Sequence, residues 1–355
     1  MVQLEAILAR MNETGASVLH LRNGERVLFR IGHKLVRAGE EQLSIPTLEG
    51  MLEEVLRDQQ WEEFRAHGEL DFLHRCQLGS FRAHLYRYDG GWALTMRRID
   101  QSSPRREQLG LPEDLDDWLG LRSGLVLFTG PIGCGKTTAI HSLVRECNGN
   151  SARHVLLLEN PIEILHEDLR SCVQQVEIGT HVPSMKQGLE LARNLRPDLL
   201  VVGDIEDGET ALGVLDCVES GILVFASMHA ASIREALRDY DRMLHETKGL
   251  RTRERFAQAL QAGLGQQLLP RQYGSGHVPV LEILIASERV RSQIAAADFA
   301  EIPQTMHESR GLGMRTLDQS LLDLVQAKEI TPEEARLHAS EKGLFEPRVG
   351  VAGGL

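Results

Sequence analysis

The stretch from Gly124 to Thr138 constrains this chain more than any other. An unbroken apolar run, Leu125 to Phe128, leads into Gly130-x-x-x-x-Gly135-Lys136-Thr137, and a helix-compatible run follows from Thr138 to Glu146. Strand, glycine-rich turn and helix start are the setting in which that spacing cradles a polyphosphate. Gly130, Gly133 and Gly135 carry no Cβ, so the backbone can curl with its N–H groups turned inward. The helix opening near Lys136 adds unpaired N–H groups and the positive end of its dipole. Lys136 can reach the β- and γ-phosphates, and the Thr137 hydroxyl can ligate Mg²⁺. Pro131, Ile132, Cys134 and Thr138 complete the loop and its first helical turn, with Cys134 read as a small filler residue.

At 355 residues the chain is long enough for two domains and a large buried core. A formal net charge of −12 argues against a general nucleic-acid-binding surface. The five cysteines, Cys76, Cys134, Cys147, Cys172 and Cys217, show no C-x-x-C spacing, so no zinc or redox signature is present. An odd number of scattered thiols suits a reducing compartment. No basic-then-apolar leader and no apolar run approaching 18 residues is found. The expectation is a cytoplasmic protein that meets a membrane only through partners.

Taken in order, residues 3–13 read as an amphipathic helix with Leu4, Ile7, Leu8 and Met11 on one face. Ser17 to Leu21 and Glu25 to Ile31 read as strands joined at Arg22-Asn23-Gly24. Residues 46–66 read as one helix. Asp71 to Leu73, Gly79 to Tyr86 and Gly91 to Arg97 read as strands, the last two joined at the Asp89-Gly90-Gly91 turn. This predicts an N-terminal α+β domain over 1–99 and a polar linker over 100–112. Short apolar runs then alternate with helical stretches: Leu125–Thr129, His154–Leu158, Leu199–Gly203 and Ile222–Ser227. Such runs suit parallel strands buried on both faces, hence an α/β doubly wound domain over 113–286. A helical region over 287–347, with a helix start at Thr331-Pro332, and a disordered tail over 348–355 complete the expected organisation.

A nucleotide hydrolase needs further groups for metal and water. Glu163 follows the apolar strand that ends at Glu159, where Pro161 stops the strand. It is the candidate general base; alone, it could equally be part of a solvated acidic loop. Asp204 ends the strand Leu200–Gly203 and has the form of a Mg²⁺–water ligand, or of a helix N-cap. His229 follows Leu223–Ser227 and could bond a γ-phosphate, or be structural. Arg82, Arg87, Arg97 and Arg98, with Arg193 and Arg196, are solvated or reach a neighbour's phosphates.

Together these pieces resemble the secretion-type ATPases, and among them the PilT-like type IV pilus retraction ATPases. The resemblance spans about residues 4–340. Gly130–Thr138 resembles the Walker A segment. Leu158–Glu163 resembles the Asp box, usually Glu-Asp-Pro-Ile-Glu. Pro197–Asp204 resembles Walker B, usually ending Val-Gly-Glu, and Ser227–Ala230 resembles the His box. The segment from Leu312 through Met314 and Arg315 to Leu321 resembles the Gly-Met-Gln-Thr-Phe-Asp stretch of the retraction branch. The resemblance implies a RecA-like core behind a PAS-like N-terminal domain, ATP and Mg²⁺, and a homo-hexamer. It implies a motor that couples ATP hydrolysis to pilus retraction and twitching motility by acting on an inner-membrane platform protein, with a paralogous pilus ATPase as a further partner. Glu163 is carried over as catalytic base, His229 as γ-phosphate sensor, and Arg82 and Arg97 as arginine fingers. Asp204 stands where the family has Glu, a shortening of roughly 1.5 Å, and Asn160 stands where it has Asp. These departures leave open a divergent secretion or competence-pilus ATPase, or an ATP-binding regulatory paralogue with weak hydrolysis.

Overall fold

Period-two alternation dominates the first hundred residues. In the computed structural model, which describes residues 4–32, 34–39, 42–89, 91–99, 103–248 and 251–346, it becomes a sheet of six antiparallel strands. These are β1 (Val18–Arg22), β2 (Val27–Ile31), β3 (Lys34–Ala38), β4 (Glu69–Cys76), β5 (Gly79–Tyr88) and β6 (Gly91–Ile99), in the spatial order β3-β2-β1-β6-β5-β4. Leu19 and Leu21, Phe81, Ala83 and Leu85, and Leu94 and Met96 point to one face. Helices α1 (Leu4–Glu13), α2 (Ile45–Glu53) and α3 (Asp58–His67) supply the other side of this core through Leu8, Met11, Met51 and Phe64.

The single helix expected over 46–66 is two. Arg57 is extended, and its N–H donates to Gln60 Oε1 at 3.0 Å, which starts a fresh helix. The break lets Leu56 and Phe64 both reach the core. Strand β3 escaped sequence reading because it is an edge strand whose residues 34–37 are exposed, so it carries no buried alternation. Of the expected Asp89-Gly90-Gly91 turn, residue 90 lies outside the described residues.

The remaining chain builds a sheet of seven strands: β7 (Gly124–Thr129), β8 (His154–Glu159), β9 (Cys172–Glu177), β10 (Leu199–Asp204), β11 (Leu223–Met228), β12 (Leu260–Pro270) and β13 (His277–Ile285). Their order is β13-β12-β7-β11-β10-β8-β9. All neighbours run parallel except β12 and β13, which form an antiparallel hairpin. The four strands expected to be parallel are so, in the order β7-β11-β10-β8, and the antiparallel hairpin extends the sheet at one side. Strand β9 was missed because it is a polar edge strand. Strand β12 was missed because glycines interrupt its apolar pattern, and β13 because Pro279 and Glu282 interrupt its own. Gly263 and Gly265 lie where Ile233 packs against the strand, within 3.5 Å and 3.3 Å of a built Cβ.

Strand β7 feeds two cores. Leu125 and Leu127 pack with helices α6 (Met185–Leu195), α7 (Gly208–Glu219), α8 (Ile233–Lys248) and α9 (Arg251–Ala259). Val126 and Phe128 pack with α5 (Lys136–Asn150) and with Trp118 of the short helix α4 (Asp116–Leu119). Burial on both faces is what continuous apolar strands require.

The linker expected over 100–112 is not a free tether where it is described. Residues 106–109 form a 3₁₀ turn, and Arg106 is buried, donating to the Leu111 carbonyl at 3.0 Å and pairing with Asp116 at 3.1 Å. Residues 100–102 lie outside the described residues. Four helices follow β13: α10 (Glu288–Ala295), α11 (Ile302–Glu308), α12 (Leu317–Gln326) and α13 (Pro332–His338). Ser287, Thr316 and Thr331 cap three of them, Thr331 ahead of Pro332 at the first helical position. The expected disordered tail lies outside the described residues. Contacts divide the chain into two units, 1–102 with 163–165, and 103–162 with 166–355. Among the described residues no helix is long and apolar enough to cross a membrane.

Candidate nucleotide site

The loop after β7 folds as its glycines require. Gly130, Gly133 and Gly135 have φ of 151°, 79° and 89°. A Cβ on Gly130 would lie 2.2 Å from the Gln266 carbonyl oxygen and 2.5 Å from Cys134 Sγ. At Gly135 it would lie 2.9 Å from Gln266 Nε2, whereas at Gly133 it would meet nothing within 4 Å. Two glycines are therefore needed for space as well as for dihedral angle, and the third for its dihedral angle. Gln266 Nε2 donates to the Cys134 carbonyl at 2.8 Å, tying the loop to β12. Cys134 is buried, and that burial pushes its thiol up. Pro131, Ile132 and Thr137 are exposed, and Thr138 is half-buried.

Lys136 is the first residue of α5, and its side chain folds back into the loop. Its Nζ donates to the Gly130 carbonyl at 2.8 Å and the Pro131 carbonyl at 3.2 Å. It also lies 3.1 Å from His229 Nδ1. An ammonium can only donate, so Nδ1 accepts and the His229 proton sits on Nε2. That nitrogen is 3.2 Å from Asp204 Oδ2, while Ser227 Oγ donates to Asp204 Oδ1. Lys136, His229, Asp204 and Ser227 thus form one polar line across the carboxyl ends of β7, β11 and β10, neighbouring parallel strands. Ligands bind at this end of open α/β sheets.

The segment holding His229 is fixed at both sides. Thr129 Oγ1 donates to the Ala230 carbonyl at 3.3 Å. The Glu282 carboxylate accepts from the Ile233 N–H at 2.8 Å and so caps α8. Burial raises the Glu282 pKa to about 7 against the opposing pull of that N–H.

Of the sequence candidates, the structure gathers the P-loop, Asp204 and His229. Glu163 is exposed on the segment after β8, which turns at a cis Asn160–Pro161 peptide bond. Arg82 and Arg97 face each other across β5 and β6 in the N-terminal unit, with Arg82 3.9 Å from Asp71. Arg193 lies 3.9 Å from Asp216, and Arg196 ends α6 with φ of 50°. The acidic residues of α7 hold ion pairs. Glu209 takes Lys186 at 2.8 Å, and Asp216 and Glu219 share Arg255.

Sequence reasoning missed Gln266, Ser227 and a pair of histidines, the buried His141 and the half-buried His166. Single polar residues give no local signal; only contacts distant in sequence set them apart. Thr137 and Asp204 bring a hydroxyl and a carboxylate, the oxygen donors that Mg²⁺ takes, so the residues present fit that ion.

Comparison with known proteins places the chain in a family. Residues 2–277 match the family described as Type II/IV secretion system protein. The chain is 29% identical over 342 residues to the Type IV pilus ATPase PilU of Pseudomonas aeruginosa, covering 95% of this chain and 89% of that one. It is 29% identical to the Type IV pilus retractation ATPase PilT of the same organism, covering 94% of this chain and 97% of that one. A crystal structure of the pilus retraction motor PilT with bound ADP superposes with a TM-score of 0.89 at 26% identity, covering 97% of this chain and 99% of that chain. The chain belongs to the Type II/IV secretion system protein family.

Proposed function

We propose that this chain is an ATPase motor that couples ATP hydrolysis to type IV pilus retraction. The observation that carries the reading is the Lys136–His229–Asp204 line beside the P-loop. Lys136 occupies the loop's own carbonyls and exchanges them for the β- and γ-phosphates when ATP enters, while the loop N–H groups take the phosphate oxygens. His229, released from the ammonium, turns to the γ-phosphate, with Asp204 holding its ring through Nε2. Glu163 takes the proton of the attacking water. Mg²⁺, which Thr137 and Asp204 would hold, screens the phosphate charge when bound. Arg82 and Arg97 serve a neighbour's phosphates in a homo-hexameric ring. That ring acts at the inner membrane through a platform protein and works beside a paralogous pilus ATPase.

Likeness to PilT and PilU supports the retraction role over the competence, secretion or regulatory alternatives. The test is complementation. Cells lacking the chain are expected to assemble pili that do not retract, with wild type restoring retraction and Lys136→Ala failing to do so. Loss of pilus assembly in the deletion strain would overturn the retraction role.

A further inference from the structure

Glu163 stands on a loop that the structure fastens immediately on both sides of it. One residue before it, the Ile162 N–H donates to Glu177 Oε2 at 3.1 Å. Three residues after it, the His166 N–H donates to Gln175 Oε1 at 3.0 Å. Gln175 Nε2 in turn donates to Glu159 Oε2 at 2.9 Å. Glu177 and Gln175 both belong to the edge strand β9.

The His166 side chain is held as well. Its Nε2 lies 2.7 Å from His141 Nδ1, and His141 Nε2 lies 2.9 Å from Glu159 Oε1. The two imidazole planes are within 8° of parallel with centroids 5.0 Å apart, as an in-plane nitrogen-to-nitrogen bond between rings requires. His141 and Glu159 are 1% and 5% exposed, so neither has water as an alternative partner. The proton positions follow from the donor inventory. A carboxylate accepts, so His141 Nε2 donates to Glu159, and one proton is shared along the short His141 Nδ1–His166 Nε2 contact. Burial first, then the neighbouring His141 and Arg145, lower the His166 pKa to about 3, so His166 itself stays neutral. His141 lies on α5, the helix that opens with Lys136. The line therefore joins His166, three residues after Glu163, to the phosphate-binding helix.

We propose that His141 and His166 are positioning residues that, with Gln175 and Glu177, clamp the ends of the Glu163 segment and set where its carboxylate stands during hydrolysis. This rests on the reading of Glu163 as general base. The clamp touches no phosphate-binding group, so loosening it separates turnover from binding. A misplacement of about 1 Å at a reacting group costs on the order of a hundredfold in rate.

The test is steady-state ATP hydrolysis and equilibrium nucleotide binding by the purified full-length protein, for wild type, His166→Leu, His166→Gln, His141→Leu, the double leucine variant and Glu163→Gln. His166→Leu and His141→Leu are each expected to lower kcat by about 10- to 100-fold with KM and nucleotide affinity within about threefold of wild type. The double variant is expected to lose no more than either single one, because both break one line. His166→Gln, whose amide offers both a donor and an acceptor to His141, is expected to recover most of kcat. If a leucine variant fails to fold, Gln175→Leu, which removes the acceptor of the His166 N–H, carries the same comparison of kcat against affinity. Abolished turnover in Glu163→Gln with unchanged kcat in the leucine variants would overturn the clamp and leave the base assignment standing. Undiminished turnover in Glu163→Gln would overturn the base assignment, and the clamp with it.

Discussion

Lys136 Nζ stands 3.1 Å from His229 Nδ1, and the same ammonium is held by the carbonyls of Gly130 and Pro131. The cation that should meet the nucleotide is thus parked in the cradle, and His229 is one of its holders. Removing the ring takes away a competitor for Lys136 but also the group that turns to the γ-phosphate. His229→Ala is therefore expected to bind nucleotide no more weakly than wild type while kcat falls by about tenfold or more. A loss of affinity with kcat unchanged, measured by binding and turnover on one preparation, would show that His229 acts only in binding.

Asp204 is one methylene shorter than the family's usual glutamate, and the sequence alone predicts a misplaced carboxylate. Both of its oxygens are engaged, by Ser227 and by His229 Nε2. A glutamate would have to give up one of these contacts. Asp204→Glu is expected to lower turnover severalfold, and Asp204→Asn, whose NH2 sets a second donor against either the Nε2–H or the Ser227 hydroxyl, by about a hundredfold. A rise in kcat for Asp204→Glu would mean that the native carboxylate is badly placed.

Gly130 and Gly133 differ in what a methyl group would meet. At Gly130 the methyl collides with the Gln266 carbonyl and Cys134 Sγ, while at Gly133 it enters open space. Gly133→Ala faces only the positive φ, a cost of about 1–2 kcal/mol. Gly130→Ala must displace backbone and is expected to abolish ATP binding, whereas Gly133→Ala weakens it by about tenfold. Isothermal titration with ATP and Mg²⁺ separates the two, and equal effects would contradict the packing described here.

Stability should respond to pH through two groups of opposite sign, the half-buried His166 and the buried Glu282. The His166 pKa is lowered from 6.5 to about 3, so below pH 6.5 the unfolded chain binds a proton that the folded chain refuses. Stability falls as pH drops from 6.5 toward 3. The Glu282 pKa is raised from 4.5 to about 7, so the folded chain keeps a proton that the unfolded chain has lost. Its contribution is full below pH 4.5 and is lost as pH rises to 7. Thermal melts of wild type, His166→Gln and Glu282→Gln across this range are the check. His166→Gln is expected to flatten the acid limb and Glu282→Gln the limb between pH 4.5 and 7. Parallel curves for all three would exclude both groups.

Long-range contact explains most of what sequence reading saw and failed to see. The phosphate loop, the strands ending at Glu159 and Asp204, and the caps at Ser287 and Thr331 depend on neighbours within a few residues, so their signals are local. Gln266 meets Cys134 from 132 positions away, and Glu282 caps the helix at Ile233 from 49 positions away. No window along the chain contains both partners. Edge strands β3 and β9 were illegible for a different reason: with one side unpaired and few buried residues, they need no apolar alternation. Arg106 reads as linker polarity, yet its guanidinium is buried against Asp116 and the Leu111 carbonyl.

The most direct measurement is Mg²⁺-dependent ATP hydrolysis by the purified full-length chain beside Lys136→Ala and Glu163→Gln, with particle mass determined on the same samples. A working motor predicts turnover well above both variants in a particle of hexameric mass, with Glu163→Gln still binding ATP. ATP binding in a formed ring with wild-type turnover no higher than that of Lys136→Ala would contradict it and assign the chain a nucleotide-binding role without hydrolysis.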